Sequence, residues 1–233
     1  MEPDMDRIRR NGRKEMIYLV TGGSGSGKSE YAEGLIMGSP CSRRYYVATM
    51  EVFGEEGRAK VKRHQELRRG KGFITLECRR DVGNVFSGHG PDHERYRQSN
   101  HGLGCGPGQQ PDTGLDRAVL LECVSNLAAN EMFGSGGADR THSERPDACS
   151  LAEVLAEDIR CLAAQVKDMV IVTNEVAMDG ILYDPETMEY IRLMGLLNQR
   201  LAEMADQVVE VVYGIPVWLK RCGNSVERSG SVK

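Results

Sequence analysis

The chain has 233 residues, of which 40% are hydrophobic and 27% are charged, and its formal net charge is −4 at pH 7. This length suits one sizeable α/β domain or two small ones, and the weakly acidic balance argues against a general nucleic-acid-binding protein. No apolar run reaches the roughly 18 residues of a membrane-spanning helix, and the charged N-terminal segment has no secretory signal pattern. We therefore expect a cytoplasmic protein without stable membrane insertion, whose seven cysteines are reduced thiols.

The apolar pattern predicts buried strands that alternate with helices along the chain. Strands are predicted at residues 16–21, 44–49, 73–77, 118–123, 169–173, 208–213 and 216–220. Helices are predicted at residues 29–37, 55–69, 124–133, 151–166 and 187–205. Continuous apolar strands between helices indicate an α/β fold, with a mostly parallel sheet covered by helices on both faces. Gly214 separates the last two strands, and we expect an antiparallel strand there, near the C-terminus.

Two segments interrupt this alternation, at about 87–114 and 134–150. Both are rich in glycine, proline and polar residues, so neither can bury enough apolar surface to offset the entropy lost on ordering. We expect them to be mobile insertions in one domain of residues 16–220, with flexible tails at 1–15 and 221–233.

The stretch GGSGSGKS, residues 22–29, follows the first predicted strand and matches the pattern G-x-x-x-x-G-K-S/T. Glycines let successive backbone N–H groups turn toward a phosphate, and the dipole of the following helix points its positive end there. Lys28 can reach the β- and γ-phosphates, and the Ser29 hydroxyl is a hard oxygen ligand for Mg²⁺. The strand–loop–helix setting favours a P-loop over a chance match. The predicted phosphate-binding residues are Gly22, Gly23, Ser24, Gly25, Ser26, Gly27, Lys28 and Ser29.

A P-loop usually works with an acidic residue at the end of a neighbouring strand, which orients the metal ion. Glu122 ends the predicted strand AVLLEC and is the preferred candidate. Glu175, after the strand MVIVT, is the competing candidate. We therefore predict a metal site made by Ser29 and Glu122.

His64 is the one histidine of the chain that lies in a predicted helix, and it shares a face with Lys60 and Arg68. Neighbouring cations favour the neutral imidazole near pH 7 and attract a triphosphate. A neutral imidazole that faces a nucleotide can attack phosphorus and form a covalent N–P intermediate. Periodicity alone favours the competing interpretation, a solvated helix whose histidine has no chemical role.

Six segments, taken in order, carry a resemblance to a known family. They are IYLVTGGSGSGKSEYAE, YYVATM, EEGRAKVKRHQELRRGKGFITLE, VLLECVSNLAANEMF, VTNEV and NQRLAEMADQVVEVVYGIPVWLK. The ordered set resembles the bifunctional adenosylcobinamide kinase / adenosylcobinamide-phosphate guanylyltransferase family of cobalamin biosynthesis. The resemblance covers residues 16–220 apart from the two insertions.

The resemblance implies a RecA-like P-loop NTPase fold, two reactions and a homotrimer. A nucleoside triphosphate, ATP or GTP, would phosphorylate adenosylcobinamide with Mg²⁺, and GTP would then donate GMP to adenosylcobinamide phosphate. His64 would be the histidine that carries GMP. The other positions that the resemblance assigns to GTP binding are Ala48, Thr49, Met50, Gln65, Glu66, Leu67, Arg68, Glu77 and Glu122.

Two other functions remain compatible with the residues themselves. The first is a P-loop kinase of another small molecule in which His64 has no role, and which transfers only the γ-phosphate. The second is a nucleotide-gated binding module whose polar insertions dock a partner. A covalently modified histidine would separate the bifunctional enzyme from both.

Overall fold

The computed structural model describes residues 15–51, 70–87, 116–134, 147–176 and 180–221. The strands are Met16–Thr21 (β1), Arg43–Ala48 (β2), Phe73–Glu77 (β3), Arg117–Glu122 (β4), Asp168–Val172 (β5), Gln207–Val212 (β6) and Ile215–Lys220 (β7). The α-helices are Lys28–Met37 (α1), Val124–Phe133 (α2), Ala148–Ala163 (α3) and Pro185–Met204 (α4). A short 3₁₀ helix, which the sequence pattern did not predict, spans Val82–Asn84.

The seven strands form one sheet in the order β3-β2-β4-β5-β1-β6-β7. All neighbours pair in parallel except β6 and β7, which form an antiparallel hairpin. This arrangement confirms the predicted α/β fold with a mostly parallel sheet and an antiparallel strand near the C-terminus. One strand, β5, separates β1 from β4, so the P-loop and Glu122 follow strands that are not direct neighbours.

The two faces of the sheet bury different sets of side chains. Leu19 and Leu121 lie on the face that packs against α2, α3 and α4. Val20 and Leu120 lie on the opposite face, together with Ile36 of α1. Because side chains alternate along a strand, central strands that are apolar on both sides bury both faces. The helices on the two faces thus hold β1 and β4 in fixed positions. The P-loop follows β1, and Glu122 ends β4 at the same edge of the sheet.

The longest helix, α4, has 20 residues and is fixed at both ends. At its start the Asp184 carboxylate accepts hydrogen bonds from the backbone N–H groups of Glu186 and Thr187, both at 3.1 Å. At its end Lys220 of β7 donates to the carbonyl oxygens of Ala202 and Ala205, at 3.0 and 2.6 Å, which suits the negative end of the helix dipole. Within the described ranges, no helix combines the length and apolar character needed to cross a bilayer.

Helix α3 begins at Ala148, three residues before its predicted start at 151. The Asp147 carboxylate accepts hydrogen bonds from the N–H groups of Cys149 and Ser150, at 2.8 and 3.1 Å, and so satisfies donors that a helix start leaves free. The last residues of the predicted insertion 134–150 therefore belong to a capped helix. The predicted helix 55–69 and the remaining parts of both insertions lie almost wholly outside the described residues.

Candidate active site

The loop between β1 and α1 is a compact turn that needs glycine at its two ends. Gly22 has a φ of 148°, and a Cβ added there would lie 2.5 Å from the carbonyl oxygen of Val211. Gly27 has a φ of 90°, and a Cβ there would lie 3.3 Å from Cα of Gly214 in the β6–β7 turn. The N–H of Gly214 also donates to the carbonyl oxygen of Ser26 at 2.8 Å. The C-terminal hairpin thus packs against the P-loop and fixes its shape.

Lys28 is the first residue of α1, and its side chain folds back over the loop. Its Nζ donates to the carbonyl oxygen of Gly23 at 3.0 Å, and the residue is only 9% exposed. Burial lowers the pKa of Lys28, while charge on Cys123 and Glu122 acts in the opposite direction. An ammonium group that folds back over a glycine-rich loop at a helix start is placed to meet a phosphate.

Glu122 ends β4 and is held through both of its carboxylate oxygens. The Ser29 hydroxyl donates to Oε1, and the Tyr46 hydroxyl donates to Oε2 at 2.8 Å. Ser29 and Glu122 offer hard oxygen atoms in contact with each other, which fits an Mg²⁺ ion. Among the described residues no cluster of three or more His, Cys, Asp or Glu could hold a metal ion. The protein would therefore supply part of the shell, and phosphate oxygens and water the rest.

The end of β2 lies between Glu122 of β4 and Glu77 of β3. Ala48 is in register with Glu77 of β3 and with Glu122 of β4, so all three side chains point to the α1 face. Thr49 is fully buried, and its hydroxyl contacts both the N–H and the carbonyl oxygen of Cys123 at 2.8 Å. Thr49 therefore supports the turn after Glu122, whereas Glu77 is exposed.

Glu175, the competing acidic candidate, follows β5, the strand that lies between β1 and β4. The Thr21 hydroxyl donates to Glu175 Oε1 at 3.3 Å. Ser29, in contrast, contacts Glu122. The geometry thus favours Glu122 beside the predicted metal ligand Ser29, and it gives Glu175 a separate position at the same edge.

Tyr46 is a residue of this site that sequence reasoning missed. It precedes Ala48 by two positions on β2, so both side chains point to the same face. That spacing was visible in the sequence, but the contact with Glu122 depends on β2 and β4 being neighbours. Sheet order, which the apolar pattern does not give, was the missing information.

The predicted histidine group lies outside the described residues. It consists of His64, Gln65, Glu66, Leu67 and Arg68. The group follows β2 in the sequence, and the described end of β2 lies at the edge of the sheet where Glu122 lies. Just after this group, the Lys71 ammonium pairs with Glu33 of α1. The chain therefore returns beside the helix that carries Lys28.

Comparison with known proteins gives a family for the whole arrangement. Residues 18–97 and 107–219 match the family described as "Cobinamide kinase / cobinamide phosphate guanyltransferase". The chain is 32% identical over 210 residues to the "Bifunctional adenosylcobalamin biosynthesis protein CobU" of Salmonella typhimurium, covering 88% of this chain and 100% of that protein. It is 31% identical over 214 residues to the protein of the same description from Escherichia coli, with the same coverage of both chains.

Solved structures resemble the chain more distantly. The flagellar accessory protein FlaH from Methanocaldococcus jannaschii aligns with a TM-score of 0.40 and 13% identity, over 93% of this chain and 83% of that one. An ATPase of a bacterial type III secretion system aligns with a TM-score of 0.42 and 11% identity, over 84% and 50%. The sequence matches agree with the family that the ordered motifs resemble, and they span nearly all of the described fold. The chain therefore belongs to the cobinamide kinase / cobinamide phosphate guanyltransferase family, whose members are nucleotide-using transferases.

Proposed function

We propose that this chain phosphorylates the aminopropanol hydroxyl of adenosylcobinamide with a nucleoside triphosphate, and then transfers GMP from GTP to the new phosphate. The products are adenosylcobinamide-GDP and pyrophosphate. One observation carries the proposal: in a member of a family named for both reactions, Lys28 covers the P-loop while Ser29 contacts Glu122. The relatives are described as bifunctional proteins of adenosylcobalamin biosynthesis, which supports the same pair of reactions.

The kinase step relies on the P-loop. Its backbone N–H groups and Lys28 bind the phosphates, and α1 adds the positive end of its dipole. Ser29 and Glu122 would hold Mg²⁺, which when bound neutralises charge that develops on the β- and γ-phosphate oxygens. The chain itself contributes by holding the phosphates in the orientation that phosphoryl transfer requires.

The guanylyl step relies on His64. Its imidazole attacks the α-phosphorus of GTP, the bond to the bridging oxygen breaks, and pyrophosphate leaves. A phosphate oxygen of adenosylcobinamide phosphate then displaces the histidine and takes the GMP group. Besides the P-loop, the proposed GTP contacts are Ala48, Thr49, Met50, Gln65, Glu66, Leu67, Arg68, Glu77 and Glu122.

The test uses GTP labelled at either the α- or the γ-phosphate, incubated with Mg²⁺ and the whole chain, followed by denaturation. We expect acid-labile, alkali-stable label on the protein from α-labelled GTP only, because a phosphoramidate bond to histidine has that stability. A His64→Ala variant should bind GTP yet carry no label. A folded, GTP-binding wild-type chain without α-label would eliminate the guanylyl step and leave a kinase, which adenosylcobinamide and γ-labelled nucleotide would then reveal.

The same proposal includes the setting in which the enzyme works. Residues 16–220 form one nucleotide-binding domain, with ATP or GTP as donor in the kinase step. The assembly is a homotrimer in the cytoplasm. The trimer and the choice of nucleotide come from family resemblance, and their tests are size measurement in solution and competition between ATP and GTP.

A further inference from the structure

The residues after β5 extend the pairing of the central strands toward the P-loop. Thr173 follows the last residue of β5, and its N–H donates to the carbonyl oxygen of Val20 at 2.9 Å. This bond carries the β1–β5 ladder one step further and brings the segment 173–175 beside Thr21, the last residue before the P-loop. Because β5 lies between β1 and β4, the segment is placed between the P-loop and Glu122 at the carboxyl edge of the sheet.

A partly buried polar network fixes this segment to helix α4 and to the turn after β4. Thr173 is fully buried, and its hydroxyl donates to Asn198 Oδ1 at 2.6 Å. Asn198 Nδ2 in turn donates to the carbonyl oxygen of Asn174 at 3.3 Å. The Asn174 side chain donates to the Ser125 hydroxyl at 2.5 Å. Satisfied polar networks of this kind rigidify the backbone that carries them.

Glu175 is the residue that this anchored segment presents to solvent. Its side chain is exposed, and its Oε1 accepts the hydrogen bond from the Thr21 hydroxyl at 3.3 Å. Within the part of the chain that the structure describes, no donor contacts its Oε2. Glu122 differs, because Ser29 and Tyr46 engage both of its oxygens. The site therefore has two carboxylates with different surroundings, one engaged by P-loop and sheet hydroxyls and one with an oxygen open to an incoming group.

We propose that Glu175 is the general base of the kinase step, and that it receives the proton of the acceptor hydroxyl. This assignment rests on the kinase half of the proposed function. The hydroxyl oxygen attacks the γ-phosphorus, and a new O–P bond forms. The bond between the γ-phosphorus and the β,γ-bridging oxygen breaks, and the nucleoside diphosphate leaves with that electron pair. The hydroxyl proton passes to Glu175 Oε2 and then to water.

Two features of the surroundings suit this role. The backbone that carries Glu175 is fixed by Asn198, which limits the positions that the carboxylate can take. The Thr21 hydroxyl holds one oxygen in place, which leaves the other to orient the acceptor. A positioned base of this kind contributes about 10²- to 10⁴-fold to the rate.

The test is a Glu175→Gln variant of the full chain, compared with Glu203→Gln as a matched control. Glutamine keeps an oxygen that can accept the Thr21 hydrogen bond but cannot take a proton. We expect kcat for adenosylcobinamide phosphorylation to fall by about 100-fold or more. The Kd for nucleotide should stay within about twofold, and labelling of the protein by α-labelled GTP should be unchanged, because neither depends on a base for the acceptor. Glu203, an exposed residue near the end of α4, should tolerate the same change.

A second variant, Thr21→Val, removes the hydroxyl that holds Glu175 and leaves the carboxylate in the chain. We expect a smaller loss of kcat than for Glu175→Gln, again with the nucleotide Kd unchanged. Wild-type kcat in Glu175→Gln would overturn the assignment. So would a parallel loss of nucleotide binding, since the residue would then serve the P-loop itself. Failure of the proposed function would look different, because the wild-type chain would then not phosphorylate adenosylcobinamide.

Discussion

At Lys28, the stability of the folded protein and the binding of phosphate favour different environments for the ammonium group. The residue is only 9% exposed, and burial lowers its pKa from the ordinary value of 10.5. The folded state without nucleotide therefore bears the cost of desolvating a charge. A triphosphate would supply the opposite charge that Glu122 offers only in part. The residue is thus matched to the bound state rather than to the empty one.

We expect Lys28→Met to reduce phosphoryl transfer by about 100-fold or more, and to leave the urea midpoint of the nucleotide-free protein unchanged or raised. The pH dependence has a definite sign. Below 10.5 and above the lowered pKa, the folded state binds fewer protons than the unfolded state, so the wild-type free energy of unfolding should rise with pH in that window. The variant should lack that rise. A lower urea midpoint for Lys28→Met at neutral pH would contradict this account.

At the site, the P-loop residues are the ones that the sequence predicts without help from the structure. The P-loop pattern is local, so Gly22 to Ser29 follow from spacing and glycine chemistry alone. The sequence ranked Glu122 above Glu175 by judgement alone; the structure adds the contact between Ser29 and Glu122, and the metal site stays a prediction. Tyr46 and Asn198 were not predicted, because their contacts depend on which strands and helices are neighbours. The placement of His64 stays a prediction.

At the scale of elements, the capping residue Asp184 shows how one side chain sets a boundary. Its carboxylate bonds to the Thr187 hydroxyl at 2.6 Å and to two backbone N–H groups of the first turn. The Thr187 hydroxyl is the main cause of its lowered pKa, and the backbone donors add to it. The start of α4 therefore depends on an ionised group at the surface.

We expect Asp184→Ala to lower the urea midpoint, and Asp184→Asn to retain most of it, because asparagine also caps helices. A carboxylate with a lowered pKa stabilises the fold above its ordinary value near 3.8, and this contribution is lost as the pH falls through the folded-state value. The advantage of the wild type over Asp184→Asn should therefore be present at about pH 6 and should shrink as the pH falls below the ordinary value of 3.8. Equal midpoints for all three proteins at about pH 6 would show that the cap is dispensable.

Strand positions were predicted to within one residue, whereas one helix was predicted three residues late. Five strands, β2, β4, β5, β6 and β7, each begin one residue earlier than predicted, at Arg43, Arg117, Asp168, Gln207 and Ile215. The first four of these residues are polar, so the apolar pattern stops short of them although the ladder includes them, whereas Ile215 joins its strand through its pairing with Val212. Helix α3 begins earlier than predicted because Asp147 caps it. The prediction missed this start because Asp147 lies in a polar stretch with the composition of a loop. Backbone pairing and capping, rather than burial, decided these ends.

At the scale of the whole molecule, one face of the β6–β7 hairpin, at one edge of the sheet, is an exposed apolar surface. Val212, Ile215 and Val217 are 38%, 65% and 43% exposed. Val212 pairs with Ile215 across the β6–β7 hairpin, while Val217 pairs with Glu210, so their side chains share one face. Exposed apolar patches at a sheet edge are typical of contact surfaces between proteins. The proposed homotrimer would bury this surface.

We expect Ile215→Glu to shift the assembly toward the monomer, because a charge would have to be buried at the contact. Sedimentation should give three times 25.8 kDa for the wild type and a lower average for the variant. Val154→Glu is the control, since Val154 is 63% exposed and belongs to α3 rather than to the hairpin. An unshifted trimer in Ile215→Glu would place the contact elsewhere, and a monomeric wild type would eliminate the trimer.

Strand β1 is synthesised before the other strands, but its two partners, β5 and β6, lie much later in the sequence. β1 pairs with β5 and β6, and the P-loop carbonyl of Ser26 receives its hydrogen bond from Gly214. A chain emerging from the ribosome therefore carries the P-loop sequence for most of translation without the strands that shape it. Nucleotide binding should begin only when the C-terminal hairpin has left the exit tunnel. Incomplete chains would then remain unable to consume GTP.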